Sequence, residues 1–115
     1  MHQIKDNPME LKIDIDKYET LQEIFVGEII QQIRLKLMQA GITGEDLVNL
    51  TGEIAFSVTS TLDGNAMIER DGTDVNPYLV FSGSENEIIH CGENSFTHEF
   101  VAGEMDKAFN SSEGS

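Results

Sequence analysis

From Leu21 to Ala40 the apolar residues return at every third or fourth position: Val26, Ile29, Ile30, Ile33, Leu37 and Ala40, with Leu21 and Phe25 widening the stripe. That period belongs to an α-helix, and a stripe of this length needs a partner surface to cover it. Asp16 followed by Glu19 suits a helix start, because an Asp oxygen accepts free N–H groups of the first turn and Glu19 favours the positive end of the dipole. Gly41 supplies the left-handed residue that ends many helices. A helix is therefore predicted over about 17–40.

A second helix is predicted over about 44–62. Thr43-Gly44-Glu45-Asp46 resembles a variant capping box, and Leu47, Leu50, Ile54, Val58 and Leu62 keep helical spacing behind it. The competing reading is a strand at Ile54, Phe56 and Val58, encouraged by the β-branched Val58, Thr59 and Thr61 and by the helix cost of Gly52.

The flanks read as sheet. Leu11, Ile13 and Ile15 alternate with Lys12, Asp14 and Asp16, the period of a strand with one covered face. After Asp63-Gly64 come short apolar runs at Ala66–Arg70, Tyr78–Ser82 and Glu87–Cys91, separated by the turn dipeptides Asp71-Gly72 and Gly83-Ser84. Pro77 suits a strand start or an edge. Phe96, His98 and Phe100 alternate like another strand, and Met105, Ala108 and Phe109 have the spacing of one short helical turn. The fold class expected is α+β, in the order β-α-α-β-β-β: one N-terminal strand, then two helices packed on one face of a small, mainly antiparallel sheet. Residues 1–109 are read as a single domain and 110–115 as a flexible tail, since the tail offers nothing to bury.

Composition narrows the functional classes. No stretch approaches the apolar length of a membrane span, and Met1 to Glu10 lack the apolar middle of a secretory signal. Cys91 is the single cysteine of the 115 residues, which excludes an internal disulfide and fits the reducing cytoplasm. The tripeptides starting at Asn49 and Asn110 match the glycosylation pattern but matter only in a secretory context. The formal net charge is −14, unevenly spread: residues 1–36 hold seven acids and five bases, net −2, whereas residues 37–115 hold fourteen acids against Arg70 and Lys107, net −12. Such a field repels nucleic acid and anionic membrane and attracts cationic surfaces, so neither nucleic acid nor membrane is expected as a partner.

Few residues suggest chemistry. His90, Cys91, His98 and Glu99 include the donor types of a metal site, but the spacing is no zinc signature, so no metal or cofactor is expected. Glu87 and Glu93 flank Cys91 and oppose formation of a thiolate, which favours a buried thiol over a nucleophile. Asp63-Gly64-Asn65 and Asp71-Gly72-Thr73-Asp74 lack the ligand register of calcium loops and read as turns. His98 reads as a hydrogen-bonded core or rim residue. No catalytic residue emerges.

What remains is an acidic surface comprising Asp71, Asp74, Glu85, Glu87, Glu93, Glu99 and Glu104. Its bland interpretation is solubility. Its functional interpretation is a docking face for a basic protein, with Tyr78 and Phe81, or Phe96 and Phe100, as anchors. The expectation is a small acidic binding protein that masks a cationic partner, in the manner of an immunity protein, an antitoxin or a nucleic-acid mimic. The alternative is a small-ligand protein or enzyme with a pocket between the helix pair and the sheet, near His90 or His98. Self-association through exposed faces of the long first helix is compatible with both.

Overall fold

The structure is a computed structural model that describes residues 8–110. Of the tail expected at 110–115, Asn110 belongs to the last helix and residues 111–115 lie outside the described residues. The chain runs from β1 (Glu10–Ile13) into α1 (Ile15–Gln39) and α2 (Gly44–Leu62). Four short strands follow: β2 (Glu69–Arg70), β3 (Thr73–Asp74), β4 (Phe81–Ser82) and β5 (Glu87–His90). A 3-10 turn (Thr97–Phe100) then leads directly into α3 (Val101–Asn110). The α+β class and the order of strand, two helices and strands are as expected.

The helix ends show why α1 and α2 form where they do. Asp14, rather than Asp16, caps α1: it is the last residue to bond β5, through its N–H to the His90 carbonyl, and its carboxylate then accepts the Lys17 N–H at 3.1 Å. At the other end Gly41, at φ +89°, donates to Met38 O while Ile42 donates to Leu37 O, a complete Schellman closure. The same closure ends α2, with Gly64 at φ +80° donating to Thr61 O and Asn65 to Ser60 O. Thr43 stands at the start of α2, but its hydroxyl makes no capping bond, so the expected capping box does not form. Ile54, Phe56 and Val58 lie inside α2, which settles the helix-or-strand ambiguity in favour of the helix.

The short 40–43 connection folds α1 and α2 into a helical hairpin, and α3 packs against both. Val26 and Ile30 of α1, Ala55 of α2 and Val101 of α3 form one apolar core, with Ile33, Phe100, Met105 and Ala108 around it. A second core lies under the sheet. Tyr18 at the start of α1 packs with Ile89 and Cys91, ringed by Leu21, Phe81 and Phe96. The sheet thus rests on the first turns of α1 rather than on the whole helix pair.

The three-stranded sheet has the order β1-β5-β4, with β1 parallel and β4 antiparallel to β5. It is therefore partly parallel, rather than mainly antiparallel as expected, because β5 is laid beside β1 only after the chain has passed through the helical hairpin. β2 and β3 make a separate two-stranded ribbon. The expected 66–70 strand shrinks to Glu69–Arg70 and pairs with Thr73–Asp74 across Asp71-Gly72, both at positive φ. The alternation at Phe96, His98 and Phe100 is not a strand: the chain coils into the 3-10 turn, bringing the Phe96 and Phe100 rings within 5.9 Å. The N-terminal alternation does mark a strand, but all four residues of β1 are exposed, so it has no covered apolar face. Among the described residues no helix is long and apolar enough to cross a membrane.

Candidate functional site

The densest polar cluster forms where the C-terminus of α2 meets the 3-10 turn. Leu47, Thr51, Ala55 and Thr59, four residues apart, line the buried face of α2, and the next step of that ladder is Asp63. The Schellman closure fixes Asp63 as the C-cap of the helix, with its side chain 1% exposed. One carboxylate oxygen, Oδ1, accepts from the Ser95 hydroxyl (2.6 Å), the Thr97 hydroxyl (2.7 Å) and the Thr97 N–H (2.9 Å). The other, Oδ2, accepts from the His98 N–H (2.8 Å) and from His98 Nδ1 (2.5 Å). The Asp63 carbonyl accepts from the Asn94 amide at 3.2 Å.

This arrangement caps one helix with the end of another. The first N–H groups of a helical segment have no partners within it, and Asp63 supplies them from a distant part of the chain. The physical cause of the 3-10 turn is therefore the pair of bonds to the Thr97 and His98 N–H groups. Burial is the largest single influence on the Asp63 carboxyl and pushes its pKa up. The hydrogen bonds from Ser95, from the backbone and ring of His98 and from Thr97 together outweigh it and hold the group below its ordinary value of 3.8.

Since an ionised carboxylate only accepts, His98 carries its proton on Nδ1. The Asn65 amide, 3.4 Å from the same nitrogen, is a weak neighbour. Nε2 has no protein partner among the described residues, and Phe56 stands edge-on to the ring at 6.0 Å. An aspartate that orients an imidazole through Nδ1 is the orienting half of a general-base dyad. Here no hydroxyl or thiol among the described residues bonds Nε2.

His90 sits in a different setting. It is 4% exposed, between Tyr18 (5.4 Å between centroids) and Tyr78 (5.3 Å). Its Nδ1 accepts the Gly92 N–H at 3.1 Å, so the proton lies on Nε2, which is buried without a partner. Cys91 is buried, and its thiol points to the Glu93 carbonyl at 3.3 Å. Burial pushes the neighbouring Tyr18 phenol up to about 12, with the Cys91 and Asp63 charges adding and a Ser95 hydrogen bond opposing. That phenol donates to the Leu79 carbonyl. Among the described residues no three His, Cys, Asp or Glu side chains converge as metal ligands.

The seven carboxylates of the expected docking surface fall on several elements. Asp71 and Asp74 lie exposed on the β2–β3 ribbon, Glu85 in the β4–β5 turn, Glu93 after β5 and Glu99 in the 3-10 turn. Two are engaged: Glu87 accepts from Ser84 at 2.9 Å and faces Lys12 at 3.8 Å, and Glu104 binds Lys107 at 2.9 Å. Of the expected anchors, Tyr78 is 58% exposed, whereas Phe81, Phe96 and Phe100 pack inward.

Two open recesses flank the ribbon. One, about 430 Å³, is bordered by Gly64, Asn65, Met67 and Asp74. The other, about 520 Å³, is bordered by Ile68, Arg70, Asp71 and Val75. His90 and His98 line neither, although Asn65 links the first recess to His98. No family model, curated protein or solved structure matches the chain.

Proposed function

We propose that this chain is a small acidic binding protein of the cytoplasm that docks on a basic protein, with segment 64–80 as its contact surface. The observation that carries this reading is the coincidence, on one segment, of large exposed apolar side chains with carboxylates that lack an ion pair among the described residues. Met67 is 96% exposed, Tyr78 58% and Val75 48%, while Asp71 and Asp74 beside them make no ion pair among the described residues. Apolar anchors within a ring of charge are how an interface combines affinity with fast encounter. The two recesses suit the aliphatic stems of lysine or arginine, with Asp71 and Asp74 near their charged ends.

The test compares the wild-type chain with a D71N/D74N/Y78A variant as bait in host extract at low and high salt. A basic protein retained by the wild type, released by salt and not retained by the variant is the expected result. Equal capture by the variant overturns the reading.

The alternative, a ligand-binding or catalytic role for His98, draws on the Nδ1 bond to Asp63 and the solvent-facing Nε2. It is tested by His98→Gln: a folded variant with full biological activity removes it.

A further inference from the structure

β1 is an edge strand whose outer side has no partner among the described residues. The direction of its backbone is fixed by two bonds, from Glu10 N–H to Asn86 O at 2.6 Å and from Asp14 N–H to His90 O at 3.0 Å. Successive residues of a strand direct their polar groups to alternate sides. Glu10, Lys12 and Asp14 therefore face β5, and Leu11 and Ile13 present N–H and C=O outward. Natural edges are usually blunted by proline, a bulge or a lysine directed at the intruder. The β1–β5 register here is unbroken from Glu10 to Ile13, no proline lies within the strand, and Lys12 is held toward Glu87.

The side chains separate by sign and polarity. Leu11 and Ile13, 62% and 52% exposed, share one face, and Met9, 55% exposed, precedes them. Glu10 and Lys12 share the other. Glu10 stands in register with Glu87, a like-charge pairing, and has no cationic partner among the described residues.

We propose that two copies of the chain join by antiparallel pairing of their β1 edges about a two-fold axis through Leu11. Residues directly opposite in such a pair must share a face, so the axis passes through a residue. An axis through Lys12 sets that lysine against its own copy and Glu10 against Asp14. An axis through Ile13 runs the pairing into α1, which begins at Ile15. The axis through Leu11 makes the two Leu11 residues exchange N–H···O=C bonds and extends Met9, Leu11 and Ile13 into one apolar strip across the joint sheet. On the other face it places Glu10 opposite Lys12 of the second copy, twice. Each lysine then lies between Glu87 of its own chain and Glu10 of the other. The strand carries one charge of each sign, and the part of the chain that supplies it, residues 1–36, has a net charge of only −2 against −12 for the rest. This interface stands independently of the docking surface on segment 64–80.

Sedimentation of the full chain from micromolar to millimolar concentration tests the proposal. The expected mass rises from the 12.8 kDa of one chain to twice that value and stops there. Lys12→Glu weakens association about tenfold, since two favourable pairs become repulsive. The double swap E10K/K12E restores it, and also sets Lys at position 10 beside Glu87 within each chain. Far-UV circular dichroism shows that each variant is folded. A wild-type chain that stays at 12.8 kDa throughout, a mass that grows beyond two chains, or a double swap that associates no better than Lys12→Glu overturns the proposal.

Discussion

Beside His98 the buried Asp63 carboxylate is matched to partners and receives five hydrogen bonds, three of them from side chains. Around His90 the ring is more deeply enclosed than that of His98, yet one nitrogen accepts a backbone N–H and the other is buried beside aromatic faces with no acceptor. The first region is held together by polar complementarity and the second by aromatic packing with a polar defect. Burial of a histidine therefore says little alone. What its nitrogens meet decides whether replacing it harms or spares the fold.

The sharpest way to break this contrast is to remove the carboxylate. Asp63→Ala leaves the N–H groups of Thr97 and His98 and the Ser95 hydroxyl without their acceptor, and the Thr97 hydroxyl with only the Thr59 carbonyl at 3.3 Å, and is expected to destabilise the chain by about 3–5 kcal/mol. The midpoint of urea unfolding measures it, with loss of the 3-10 turn and fraying of α3 as the structural signature. Asp63→Asn keeps one acceptor oxygen and should fall between this variant and the wild type.

Acid provides a second, reversible route to the same end. Because the folded Asp63 carboxyl lies below its ordinary value of 3.8, the unfolded chain takes up the proton first. The contribution of this group is thus complete above the ordinary value and is lost as pH falls through the folded one. Urea midpoints measured between neutral pH and pH ~2 should show a steeper acid decline in the wild type than in Asp63→Asn, which lacks the titrating group. Equal slopes would mean that the carboxylate does not drive the acid limb.

Single donors to Asp63 come next. Ser95→Ala deletes one hydrogen bond to a charged acceptor that keeps four others, so a loss of about 1–2 kcal/mol is expected. A loss no larger than that of an exposed Ser84→Ala control would show that the cluster is redundant at this position.

The two regions were unequally legible in the sequence, for physical reasons. The helices announce themselves because their period and their terminal Gly41 and Gly64 act within a few residues, and α2 occupies the expected 44–62. Asp63 reads from sequence as an ordinary turn residue before glycine, because its hydrogen-bonding donors are separated from it by 32 to 35 residues. One local signal was present: Leu47, Thr51, Ala55, Thr59 and Asp63 step by four along a single face, which places the aspartate on the buried side. Period alone also misled at two places. The pattern Phe96, His98, Phe100 contains a spacing of four that suits a helical turn as well as a strand, and the alternation in β1 identifies two faces without saying whether either is covered.

The smallest expected effect concerns His90. Its orphaned Nε2–H already lacks a partner, so replacing the ring removes a destabilising group along with a useful one, the Nδ1 acceptor of the Gly92 N–H. His90→Phe keeps a ring between Tyr18 and Tyr78 and exchanges the buried N–H for carbon, while Gly92, exposed in its loop, can turn its N–H to water. These changes oppose each other, and a net shift within about 1 kcal/mol of the wild type is expected from urea unfolding. A loss as large as that of Asp63→Ala would mean that Nε2 has an acceptor in solution, and the two histidine surroundings would then be alike.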